Sequence, residues 1–164
     1  MTIKKLISYL NHINLKVGKI SRLLILILIA LISLSVLLRY AFAVGFTWLQ
    51  DLYIWTNAIF ILLGIGYTLN KDSHVRIDII YRKLNKDKKK KINFLCSVFF
   101  GLPLSFLIIK NGFDFFHRSF NLNEGSKETG GLPNIYILKF FIFLMGLLLL
   151  IEISKKILNF FKND

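Results

Sequence analysis

The sixteen residues from Leu23 to Leu38 carry only aliphatic side chains and two serines, Ser33 and Ser35, and three more long apolar runs follow. A helix in a water-soluble domain must break such a run every few positions, because one of its faces meets water. Runs approaching ~20 apolar residues suit a different solvent, the ~30 Å hydrocarbon core of a bilayer. Inside that core every backbone N–H and C=O must be satisfied within the chain, and one apolar helix per crossing does this. The pattern predicts an all-α membrane protein with four transmembrane helices, at about residues 20–42, 48–69, 92–113 and 133–153. Together they form a single integral membrane domain over residues 1–164. With 55% hydrophobic residues and 16 phenylalanines, nothing remains from which to build a soluble catalytic domain.

The segments between the runs are short and polar. In residues 2–19, Ile3, Leu6, Leu10, Ile13 and Val17 recur at spacings of three and four, opposite Lys4, Lys5, Asn11, His12 and Lys16. That is the signature of a short amphipathic helix in the headgroup layer. The charged start resembles a signal peptide, but the apolar run begins too far downstream and is too long, so the segment is expected to be retained. Residues 43–47 make a brief break with Gly45 as its flexible point. Gly64 and Gly66 are placed for close helix approach. Pro103 falls inside the third span, where a missing backbone donor invites a kink. Pro133 is suited to the first turn of the fourth helix.

Charge sets the expected orientation. The formal net charge is +13, and 17 of the 22 Lys and Arg residues fall in the N-terminal segment, the central loop and the C-terminal tail. The positive-inside rule then puts both termini and the central loop in the cytoplasm, with the 39–51 and 114–134 connections outside. A nucleic-acid module would set its basic residues on a folded, water-exposed surface. No such surface is available, so the bilayer is the expected partner and nucleic acid is not.

Chemistry-bearing residues are sparse. The single cysteine, Cys96, lies in an apolar run and reads as a small buried hydrophobe. His12, His74 and His117 all fall outside the spans, and the sequence calls for no cofactor or metal. A stand-alone transporter needs ion-binding groups at the midplane. Here the first span has no acid, while Asp51, Asp114 and Glu152 sit near span ends. The chain reads as a partner subunit and not as a pump. An alternative is a small membrane enzyme acting on a lipid or quinone, with His74 beside Asp72 and Asp78 as its site.

Two stretches exceed what packing requires. In the first, Arg39-Tyr40-Ala41-Phe42 and Trp48-Leu49-Gln50-Asp51-Leu52 flank the turn, setting a cation and a carboxylate among interfacial aromatics. In the second, His74-Val75-Arg76-Ile77-Asp78 alternates charged and apolar residues. Together they resemble the small membrane subunit, the DctQ type, of the tripartite ATP-independent periplasmic (TRAP) transporters. That family shows Arg-Tyr-x-Phe at the end of its first helix, then a Trp followed by two acids and a Leu. A second helix ending in Gly-rich apolar sequence and a His-x-x-x-Asp segment come next. The same features occur here in the same order, with Gly64 in the second span and a similar outer loop carrying Glu124, Ser126 and Leu132-Pro133. Gln50 departs from the family by standing where the first acid is usual.

The resemblance implies a non-catalytic role in the bacterial inner membrane. In such systems a periplasmic solute-binding protein captures a carboxylate such as a dicarboxylate, a sugar acid or sialic acid. A large membrane subunit then carries it inward by symport, driven by a sodium gradient. The small subunit gives the moving part a rigid neighbour. On this reading Arg39 and Asp51 brace the outer turn, Tyr40, Trp48 and Tyr53 fix its depth, and His74, Arg76 and Asp78 set the central segment at the interface.

Overall fold

The structure, a computed structural model, describes residues 3–71 and 84–162. Helix α1 spans Ile3–Ala41, α2 Thr47–Asn70, α3 Lys86–Cys96, α4 Leu102–Asn121 and α5 Tyr136–Lys162; a π-turn, Ser97–Gly101, joins α3 to α4. Four helical stretches, one of them the continuous α3–π–α4 unit, are long and apolar enough to cross a membrane. Among the described residues there is no strand. The all-α, four-span architecture expected from the apolar runs is what the chain adopts.

The amphipathic N-terminal segment is helical, but it is not a separate element. It continues without a break into the first span as a 39-residue helix. At 1.5 Å per residue that helix is about 58 Å long, far more than a bilayer core needs. Its first turns therefore project past the apolar layer, where they pack against the ends of α2 and α5.

Helix α5 is the hub. It packs against α1, α2 and α4; α1 packs against α2, and the chief neighbour of α4 is α5. Two glycines account for the closeness of the α4–α5 seam. A Cβ on Gly112 would lie 3.1 Å from the Phe143 backbone, and one on Gly146 would lie 2.8 Å from Ile109 Cγ1. At Gly66 the same test meets Asn14 and Leu148, so α1, α2 and α5 converge there. Gly64, read from the sequence as a second close-approach site, faces nothing nearer than Ser21 Oγ at 3.5 Å.

The core is inverted relative to a soluble domain. Among the described residues only Leu49, Leu63, Leu148 and Ile153 are buried apolar side chains, against nine buried polar or charged ones. The large apolar side chains point outward, including Leu23, Leu26, Phe99, Phe100, Phe106 and Leu107. In lipid, sequestering Leu against Leu gains little over leaving it among acyl chains. Association then relies on small residues and interhelical hydrogen bonds, such as the one Ser21 Oγ donates to the Phe60 carbonyl at 3.0 Å.

Two local expectations are corrected by the backbone, and a third, at Pro103, gains its mechanism. Pro103 cannot donate an N–H to the carbonyl four residues back, and the helix absorbs this with the π-turn, in which Leu102 N–H reaches Ser97 O. Buried Ser105 then donates its hydroxyl to the Gly101 carbonyl at 2.9 Å. The fourth helix begins at Tyr136 and not at Pro133, because Asn134 adopts a left-handed φ of 65° that interrupts the helical path. In the α1–α2 turn the left-handed residue is Ala43, φ 55°, and not Gly45. Phe42 and Val44 both donate to the Leu38 carbonyl, which reverses the chain.

Candidate interface and anchoring sites

At the end of the bundle formed by the α1–α2 turn and the 122–135 loop, the structure separates Arg39 from Asp51. The expected pair across the turn does not form. Asp51 is 8% exposed, and its Oδ2 accepts the backbone N–H of Leu132 at 2.9 Å. A buried carboxylate takes the donor that shares its burial, and Asp51, near the start of α2, faces the 122–135 loop. Arg39, in the last turn of α1, remains at the surface. Tyr40 and Trp48 are exposed at 84% and 45%, as an aromatic belt requires. Tyr53 is half-buried one turn further along α2. The Phe46 and Trp48 rings lie 5.8 Å apart beside the turn.

The loop that Asp51 holds has its own framework. Ser126 N–H donates to Leu132 O and Ile135 N–H to Glu124 O, each at 2.9 Å, folding residues 124–135 into a closed lobe. Gly131 sits where any Cβ would fall 2.4 Å from Asp51 Oδ2, so the lobe can approach α2 only with a glycine there. Lys139, in the first turn of α5, forms an ion pair with Glu124, and its Nζ lies 4.1 Å from the Phe115 ring centroid. The hydrogen bond from Lys139 holds the Glu124 carboxyl below the usual carboxylate range. Of the loop residues noted in the sequence, Glu124 and Leu132 thus gain defined partners.

The opposite end of the bundle holds a constellation that reading the sequence missed. Glu152 of α5 is 1% exposed. Its Oε2 accepts from Asn14 Nδ2 of α1 at 3.0 Å and from Asn70 Nδ2 of α2 at 3.1 Å. Its Oε1 pairs with Lys155 Nζ at 2.6 Å. Asn11 Oδ1 accepts from Asn70 at 2.6 Å and from Lys155 at 3.2 Å. One carboxylate thereby ties three helices together, with the projecting turns of α1 as one wall. The signal was present in part: Asn11 and Asn14 are the amides of an otherwise Lys-rich helix, and Glu152 is the only acid of its span.

His74, Arg76 and Asp78, with Asp72, lie outside the described residues. Of the other candidates, Cys96 is exposed and not buried, because the α3 face that carries it looks away from α5. His12 is exposed on α1, and His117 is exposed, 3.2 Å from Asn121 and stacked on Phe113. Among the described residues no group of three or more His, Cys, Asp or Glu is placed to hold a metal ion. The buried polar groups bond mainly to one another or to nearby backbone. Asn14, Ser21 and Glu152 join helices, and among the described residues no row of carboxylates follows a midplane path.

The comparison with known proteins accords with this geometry. A family model described as tripartite ATP-independent periplasmic transporters, DctQ component, matches residues 28–163. No curated protein matches the chain.

Proposed function

Since the chain belongs to the DctQ component family of the TRAP transporters, a family of small multi-pass membrane subunits, we propose that it is the fixed partner of a large permease subunit. The large subunit carries a carboxylate solute inward on a sodium gradient, and a periplasmic binding protein delivers the solute. A dicarboxylate, a sugar acid or sialic acid fits this role. The chain acts as a single membrane domain in the bacterial inner membrane, with both termini and the basic central segment on the cytoplasmic side.

The observation that carries this reading is the family match over residues 28–163. The helix packing supports it. Buried polar side chains tie α1, α2 and α5 to each other, and Gly112 and Gly146 let α4 pack closely on α5, which makes a stiff body. The outward faces of α1 and α4 are apolar and can be covered by lipid or by a neighbouring helix. A carrier that moved ions itself would need polar groups left available at mid-membrane. Arg39, Tyr40, Trp48, Asp51 and Tyr53 serve to shape and anchor the outer turn, and His74, Arg76 and Asp78 to seat the central segment. The rival reading, an enzyme acting on lipids or quinones, rests on His74, Asp72 and Asp78 and gains no support from the described residues.

Reconstitution tests it. Proteoliposomes containing the large permease, this chain and an inward sodium gradient should take up a labelled carboxylate when the loaded binding protein is outside. Omitting this chain should abolish uptake. Equal uptake without it would remove the proposed role. For orientation, Gly45→Cys in a Cys96→Ser background should react with an impermeant thiol reagent in intact cells, whereas Lys90→Cys should react only after permeabilisation.

A further inference from the structure

The α1–α2 turn encloses a cavity of about 170 Å³. Its walls include Ser35 and Arg39 of α1, Phe46 and Thr47 where α2 begins, and Gln50 and Tyr53 along α2. Arg39 is the one charged residue among these walls. The acid closest to the turn, Asp51, is buried and committed to the Leu132 N–H. Among the described residues no hydrogen bond or ion pair engages the Arg39 guanidinium. The site therefore combines an unpaired guanidinium with three hydroxyls and an amide, all able to donate, and it has no carboxylate wall. Such a donor set is complementary to a tetrahedral oxyanion, which arginine grips through two parallel N–H···O bonds.

Position narrows the ligand. The turn joins two membrane-crossing helices, so it lies at a membrane face whichever way the chain is oriented. That is the depth at which phospholipid phosphates sit. Tyr40, Phe42, Phe46 and Trp48 are exposed around it, as aromatic side chains are in the headgroup layer. Below the cavity, α1 presents exposed Val36, Leu37 and Ile32, an apolar surface along which acyl chains can lie. We propose that this cavity binds the phosphate of a membrane phospholipid. Arg39 makes a charge-assisted pair with it, and Ser35, Thr47, Gln50 and Tyr53 supply neutral hydrogen bonds. This also accounts for the separation of Arg39 from Asp51: the arginine has its anion in the lipid, which leaves the carboxylate to hold the outer loop. Gln50 fits the same logic, because a second acid in that wall would repel the phosphate.

Native mass spectrometry of the detergent-purified chain, after exchange into equimolar phosphatidylglycerol and monogalactosyl diacylglycerol, tests the assignment. The second lipid has the same acyl anchor and no phosphate. The expected result is one retained phospholipid per chain and little glycolipid. Arg39→Gln should lower retention by about fivefold or more and Arg39→Lys by less, because a point charge lacks the bidentate geometry. Tyr53→Phe, which removes a single hydroxyl, should lower it by about twofold. Helix content by circular dichroism checks folding; if Arg39→Gln disturbs it, Tyr53→Phe and Gln50→Leu decide. Equal retention of the two lipids, or wild-type retention in all of these variants, overturns the proposal. Inorganic phosphate that displaces the lipid and itself stays bound would overturn the lipid assignment in favour of a free anion.

Discussion

Asp51 and Leu132 are 81 residues apart in sequence, yet the carboxylate of one accepts the backbone N–H of the other at 2.9 Å. This bond joins the start of α2 to the lobe that precedes α5. Because Asp51 is nearly inaccessible, its removal leaves the half-buried Leu132 amide without its partner. Asp51→Ala is expected to cost about 1.5–3 kcal/mol, the usual range for a hydrogen bond to a charged group. Asp51→Asn keeps an acceptor oxygen and should cost less. Thermal unfolding in detergent gives the ranking, and limited proteolysis should show the 122–135 loop opening in the alanine variant first.

The Glu152–Lys155 pair is buried on both sides, so losing one partner leaves the other charge uncompensated. Glu152→Gln and Lys155→Met should each destabilise by about 3–5 kcal/mol, while the double variant should recover part of the loss. A double-mutant cycle on thermal unfolding measures the coupling. Additive single losses would mean that the two residues act independently. Asn14→Leu is expected to loosen the N-terminal turns of α1, read as faster amide exchange before residue 20.

Glycines that resemble one another in sequence should differ sharply when replaced. Gly112→Val and Gly146→Val force α4 away from α5 and should cost about 1–3 kcal/mol, as overpacking commonly does. Gly64→Ala meets only Ser21 Oγ at 3.5 Å and should be close to neutral. Unfolding temperatures of the three variants check the order.

Acid should loosen the 124–135 lobe. Glu124 titrates below its ordinary value because Lys139 hydrogen-bonds the carboxylate. A group with a depressed folded pKa contributes stability that is present above its unfolded pKa and lost as pH falls through the folded one. The loop should therefore be indifferent to pH near neutrality and lose protection only below about 4.5, the reference value. Lys139→Met should move the Glu124 titration upward, toward the reference value, and so flatten that acid-dependent loss. Carboxyl infrared bands followed against pH, with Glu124→Gln for assignment, make the comparison.

The four spans were legible because a bilayer demands long apolar runs, and composition records that demand directly. The helix ends were less so. A helix does not stop where the hydrocarbon stops, so α1 starts at Ile3 and α5 runs on to Lys162, beyond what hydropathy marks. Local φ decides the rest: Asn134 delays α5, and Ala43 takes the turn conformation expected of Gly45. At the α1–α2 turn the important residues were visible, but not their partners. Arg39 and Asp51 flank one turn, and proximity in sequence suggested a pair. The actual partner of Asp51 is a backbone N–H, which every residue but proline carries and no side-chain pattern reveals. The Asn14–Asn70–Glu152 constellation was hidden for a related reason: its members come from three helices, and their meeting depends on helix order and rotation. Neither is encoded in the period of any one segment.

The measurement that bears most directly on the whole account is purification of the tagged chain from its own cells in a mild detergent, followed by mass spectrometry of what stays bound. A support subunit should come out with one many-helix permease at equal stoichiometry, and the complex should persist through size-exclusion chromatography. A chain that elutes alone, folded and monodisperse, from cells making the permease would contradict the account.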